Sequence, residues 1–224
     1  MTLAEAGVSL KQATNPDNPL GLVVKNDGTQ LTLVLYNPFA LAIKAQKWAQ
    51  DDIFGDQNEL MKHVVDQIFM SESFLGVIKG YLTAVPSKQF PSVWEVSESY
   101  AVGKHGPLLY DIAMSQLGWL TSDHEGDSST DAQGVWQFYL NNRTDVVSKP
   151  LVAQPISAAD YAFKAKRKAN ITPLVTAHNN AAQSIATDIR SSNPRIGGNF
   201  NADLGELLTR GAMKHFSGYR RSDF

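Results

Sequence analysis

The 224-residue chain contains no cysteine, which removes disulfides, thiolate nucleophiles and cysteine-ligated metals together. It has no apolar run near the roughly 18 to 20 residues that a membrane-spanning helix needs, so no membrane partner is expected. Nor is there a cationic excess: 20 Lys and Arg stand against 22 Asp and Glu, a formal charge of −2. A protein held to nucleic acid by its overall charge is therefore not expected, although a local basic patch stays open. The opening stretch MTLAEAGVSLKQATN shows no basic segment followed by an apolar one, so no secretory signal is read there and a cytoplasmic setting is the default. What is present suits a folded domain: 43% hydrophobic and 19% charged residues, in a length that fits one main core with an extension.

Along the chain, Leu20 to Val24 is a short apolar run, Lys25-Asn26-Asp27-Gly28 is turn chemistry, and Gln30 to Tyr36 alternates with Leu31, Leu33 and Leu35 on one face. This pattern predicts a β-hairpin. Asn37-Pro38 ends its second strand, because proline cannot donate to a ladder. Ala40 to Gln50 reads as a helix. Asp56 to Phe69 carries Leu60, Val64 and Ile68 at four-residue spacing with Met61 and Val65 beside them, a helical stripe that packs one face inward. Phe74 to Thr83 reads as a strand in which Gly76 and Gly80 mark a bulge or a close backbone approach.

The stretch PSVWEVSESYAVGKHGPLLYDIAM, from Pro91 to Met114, is the most informative. It predicts a strand with one unusually polar face, a glycine-containing turn, and a helix opened by Pro107 and ended near Gly118, with Leu108, Leu109, Ile112, Ala113 and Leu117 as its buried stripe. A strand, turn and helix start in that order can hold an anion on backbone N–H groups. Trp119-Leu120 begins a further strand, residues 121–131 form a small and acidic loop, and the next helix carries Val135, Trp136, Phe138 and Tyr139. Val146 to Ala153 is read as extended. Beyond Pro155, residues 156–168, 176–191 and 201–217 all read as helical, with Ser192 to Asn199 a hinge-like loop. Leu204, Leu208 and Ala212 form a stripe on the last helix, and Phe216, Tyr219 and Phe224 keep the tail apolar. The cluster Lys164, Lys166, Arg167 and Lys168 is read as a solvated helix face, with an anionic partner as the other reading. His105 and His124 sit on irregular segments and are read as solvated, and Asp123, His124, Glu125 and Asp127 match no metal-site spacing.

This order of elements predicts an α/β fold. Together with VWEVSESYAVGKHGPLLYDIAM and DAQGVWQFYLNNRTDV, it resembles the GNAT acyltransferase fold, and more narrowly the GNAT-like proteins of tailed bacteriophages. The resemblance covers about residues 20 to 150. It implies a mixed, mainly antiparallel sheet flanked by helices over residues 20–153. Outside the resemblance lie an arm over 1–19 and, from the helical reading beyond Pro155, a helical C-terminal extension over 154–224. It also implies acetyl-coenzyme A as cofactor, an amine acceptor, and a place in the host cytoplasm or the virion.

In that family the turn reads Arg/Gln-x-x-Gly-x-Gly/Ala, and its N–H groups bind the pyrophosphate of acyl-coenzyme A. The implied cofactor residues are Val96, Val102, Gly103, Lys104, His105 and Gly106. Here Ala101 stands at the Arg/Gln position and Lys104 at the first glycine, and only Gly106 fits. Lys104 either supplies its ammonium to phosphate or blocks the close approach that glycine allows. The family's thiolate-protonating tyrosine, in Asn-x-x-Ala-x-x-Leu-Tyr, aligns with Ser129, Ala132, Val135 and Trp136. An indole cannot act as that acid, which leaves Tyr139, three residues on, as the candidate. The general base would come from the central strand, where Glu95 and Glu98 are the candidates, on opposite faces by a period of two. Two functions follow: an acetyl-coenzyme A-dependent N-acetyltransferase, or a non-catalytic virion protein that uses the fold as a scaffold and its C-terminal helices for contacts with other phage proteins or with itself.

Overall fold

A computed structural model describes residues 10–13, 20–50, 54–70, 74–122, 130–193 and 203–219. Among these the chain is α/β. Seven strands run in the order β1-β2-β3-β4-β5-β7-β6: β1 Gly21–Asn26, β2 Leu31–Tyr36, β3 Ile78–Pro86, β4 Val93–Ala101, β5 Trp119–Thr121, β6 Val146–Pro150 and β7 Tyr161–Ala165. The helices are α1 Leu10–Ala13, α2 Pro38–Ala49, α3 Gln57–Met70, α4 Phe74–Val77, α5 Gly106–Leu117, α6 Thr130–Asn142, α7 Thr172–Ser192 and α8 Leu204–Tyr219. Six of them are of twelve residues or more and flank the sheet. No helix among the described residues is long and apolar enough to cross a membrane.

The sheet is mainly antiparallel. β3 with β4, β5 with β7, and β6 with β7 run antiparallel, while β4 and β5 run parallel. β1 and β2 are neighbours joined over four residues, a link far too short for a parallel crossover. Their turn is held by Asp27, whose Oδ1 accepts from Thr29 N and Gln30 N at 2.9 Å each, with Gly28 at φ +84°. All six residues of β2 are buried, not the leucine face alone.

The chain divides into two compact units. One comprises Met1–Ala13, Lys25–Leu33 and Gly80–Ile171, the other Thr14–Val24, Val34–Lys79 and Thr172–Phe224. In the first, α5 packs on β4, β5 and β7, and α6 lies beside α5. Trp136 of α6 stacks on Phe163 of β7 at 5.3 Å and meets Tyr110 and Tyr139 at 4.7 and 5.9 Å, an aromatic core. In the second, α2 packs on α7 and α3 on α8. The α3 stripe is buried as its spacing requires, through Leu60, Met61, Val64, Val65, Ile68 and also Phe69. α2 begins where Asn37 caps it, its side chain accepting from Ala40 N at 3.1 Å, with Pro38 in the first turn.

Three expectations are corrected. Residues 156–168 are not helical: they hold one 3₁₀ turn, Ala158–Asp160, and then β7, which is central enough to pair with both β5 and β6. Its alternation, with Ala162 and Phe163 both fully buried, is short and is masked by the lysines that follow it. Phe74 to Val77 forms a helical turn before β3, so Gly76 is neither bulge nor close approach. Gly80 is a close approach: a Cβ there would lie 2.6 Å from Leu109 Cδ1. The third correction concerns the glutamates. The β3–β4 register passes from Thr83↔Glu98 to Ala84↔Val96, so Ser97 is an extra residue and β4 bulges. A bulge breaks the period of two, and Glu95 and Glu98 come to lie on the same face. His124 and its acidic neighbours, residues 194–199, Tyr219's side chain and Phe224 lie outside what is described.

Candidate functional site

β4 leads into the turn 102–105 and then α5. Gly103 and Lys104 both have left-handed φ, +58° and +64°. For lysine this conformation costs about 1 kcal/mol or more, because its Cβ crowds the following carbonyl. His105 returns to φ −82°. The turn is closed by His105 N donating to Val102 O at 3.3 Å and by a short contact of His105 Nδ1 with the same carbonyl. No side chain caps the α5 N-terminus, and Pro107 sits in its first turn. The leading N–H groups of a helix have no partner within it.

Beside this helix start lies a cavity of about 570 Å³, within the size of small-molecule sites. It is lined by the end of β4 (Ser99, Tyr100, Ala101), the turn (Lys104, Gly106), α5 (Pro107, Leu109, Tyr110) and the first half of α6 (Ala132, Val135). Ser99 and Tyr110 hydroxyls are bonded to each other at 2.8 Å. Burial pushes the Tyr110 phenol above its usual range, the Ser99 bond opposing this. Lys104 is exposed and lines the cavity without closing it. The β4–β5 pairing runs only over Val93–Glu95 and Trp119–Thr121, so the cavity sits past the point where the parallel pair ends.

Behind the cavity stands an ionic cluster. Arg143, whose side chain is only 5% exposed, reaches Asp111 at 3.1 Å and Asp145 at 2.6 Å and lies over the Tyr139 ring at 4.8 Å. Tyr139 is buried, and its hydroxyl lies 2.9 Å from both Pro107 O and Asp111 Oδ1. Burial raises the Tyr139 phenol well above its ordinary range. Desolvation also raises the Asp111 carboxyl against the pull of Arg143, while the Arg143 hydrogen bonds lower that of Asp145.

Of the residues expected to hold the cofactor, Lys104 and Gly106 line the cavity; Val102, Gly103 and His105 build its turn; Val96 is buried in the core. Of the expected catalytic residues none lines it. Tyr139 braces Pro107 from behind. Glu95, half-buried, accepts a short hydrogen bond from Ser87 Oγ, and Glu98 shares its face. Ser99 falls on the opposite face, toward Tyr110. Ser99 and Tyr110 were missed because the alternation on β4 was read without the bulge. Among the described residues no cluster of three His, Asp or Glu could hold a metal ion. Compared with protein-family models, curated proteins and solved structures, the chain matches none.

Proposed function

We propose that the protein is a GNAT-like acyl-coenzyme A-binding protein of bacteriophage type that transfers an acetyl group to an amine. The observation that carries this reading is the cavity itself, at the end of a β-strand of a parallel pair and at the start of the crossover helix, where α/β proteins commonly bind phosphorylated ligands. The residues present suit such a ligand. Lys104 and the α5 N-terminus offer charge and N–H donors to phosphate, Leu109, Ala132 and Val135 offer apolar wall to an alkyl arm, and Ser99 and Tyr110 offer hydroxyls. Coenzyme A supplies the thioester; the chain supplies its seat.

The test is calorimetric titration of acetyl-coenzyme A into the wild type and Lys104→Gly, with thiol release followed in the presence of a panel of amines. The reading expects micromolar binding, weakened about tenfold in the variant, as loss of one charge-assisted phosphate contact implies. Lys104→Gly should at the same time raise stability by about 1 kcal/mol, since glycine has no Cβ to strain. Absence of binding heat would sink it.

A second reading, a virion component that keeps the fold as a scaffold, is favoured by the engagement of Tyr139 with Pro107 and Asp111 and of Glu95 with Ser87. It expects no thiol release with any amine, and self-association or binding to other phage proteins that is lost when α8 is removed.

A further inference from the structure

The far edge of the sheet carries a second feature that the cavity does not use. Leu120 pairs with Phe163, and both lie on the face covered by α5 and α6. Trp119, one residue earlier, therefore lies on the opposite face, with Ala162 and Lys164 of β7. Register then sets Lys149 beside Ala162 and Val147 beside Lys164 on that same face. The Lys149 ammonium is 4.5 Å and that of Lys164 5.9 Å from the Trp119 ring centre. Lys166, Arg167 and Lys168 follow, all exposed, with Lys166 Nζ donating to Thr144 O.

Five cations are thus gathered on two adjacent strands and the segment after them, in a chain whose net charge is negative. The acids nearby are mostly engaged by other groups. Asp145 is held chiefly by Arg143, with Lys166 near it, and Asp160 accepts from Ile156 N and Ser157 N. Glu95 and Glu98 share the face but belong to β4, beyond β5, and Glu95 is bonded to Ser87. Like charges on neighbouring strand positions repel and lower stability unless an anion joins them. An aromatic ring set among them gives a flat face on which a base can stack once the ammoniums turn to phosphate.

We propose that this edge, Trp119 with Lys149, Lys164, Arg167 and Lys168, binds single-stranded nucleic acid. The lysines and arginine take phosphates and Trp119 takes a base, the combination by which strand-binding surfaces work without sequence preference. Binding is electrostatic at this edge although the chain as a whole is not cationic.

The experiment is fluorescence anisotropy of a labelled oligothymidylate of about 20 nucleotides, a length spanning more than one such site. With four phosphates neutralised, raising salt from about 50 to about 200 mM weakens binding about 50-fold. Lys149→Gln with Lys164→Gln halves the salt slope. Trp119→Leu weakens binding about tenfold and leaves the slope unchanged, which separates stacking from charge. Circular dichroism of each variant reports whether it is folded, and Arg167→Gln with Lys168→Gln, on an irregular segment, repeats the charge test without touching a strand. No binding at low salt, slopes unaltered in both charge variants, or tighter binding of labelled polyglutamate than of the oligonucleotide would overturn the proposal, the last pointing to an acidic polypeptide instead.

Discussion

The two compact units solve the same problem, a stable interior, by different means. In the unit that contains β4, α5 and α6, polar groups are carried inside: Asp111, Arg143 and Tyr139 form a bonded cluster whose last link is Pro107, a wall of the cavity. In the other, α3 and α8 meet through close apolar contact. A Cβ on Gly211 would lie 2.5 Å from Phe69 Cδ2, and one on Gly21 2.6 Å from Tyr36 Cε1. Packing alone fixes a filled interior. A wall beside an open volume has packing on one side only, so directed bonds from behind must set its position.

The sharpest way to break this contrast is Arg143→Ala. It leaves the largely desolvated Asp111 without its cation and should cost about 3 kcal/mol in urea unfolding. Asp111→Asn added to it should restore a large part, because the uncompensated charge is then gone. If the single variant loses under about 1 kcal/mol, the cluster behaves as a surface pair and the contrast fails. Next in size is Gly211→Ala in the apolar unit. The phenyl edge it meets is rigid, so the helices must shift, at about 2 kcal/mol by the same measurement. Phe69→Leu in the Gly211→Ala background should recover part of that loss.

How far the residues announced this can be traced element by element. The hairpin, α2, α3 and α5 followed from local signals: turn chemistry at Asn26 to Gly28, the helical reading of Ala40 to Gln50, four-residue apolar spacing, and Pro107 with Gly118, whereas the cap by Asn37 showed only in the structure. β7 did not, because five residues ending in a run of lysines give no long period, and only its two partners make it a strand. For the site, the turn and Lys104 were legible, since a glycine-poor turn before a proline-led helix is local information. The Ser99–Tyr110 pair was not, since it depends on a one-residue bulge that only the register with β3 reveals. Tyr139 was legible as a tyrosine on the right helix, but its engagement with Asp111 rests on residues 28 positions apart.

The more apolar unit also has polar links, among them Gln57 Nε2 donating to Ala186 O, and one of them tests the comparison from its own side with the smallest effect. Tyr36 OH and His178 Nδ1 are 2.8 Å apart. Burial pushes the Tyr36 phenol up, so it stays protonated and shares one hydrogen bond with Nδ1 of the ring. His178 Nε2 and Asp203 Oδ1 both lie beside Gly205, where a Cβ would stand 3.4 Å from the one and 3.1 Å from the other. Desolvation lowers the His178 pKa below its ordinary value, with Asp203 opposing. The unfolded chain, in which histidine titrates near 6.5, therefore binds more protons than the folded one just below that pH, so this group's contribution to stability is whole above about 6.5 and declines as pH falls toward the lower folded value. Urea midpoints compared at about pH 7.5 and pH 5.5 should fall at the lower pH in the wild type, and the part of that fall due to this group should vanish in His178→Gln. A His178→Gln profile parallel to wild type would mean that this link adds nothing to the packing around it, which would sharpen the contrast with the bonded wall around the cavity.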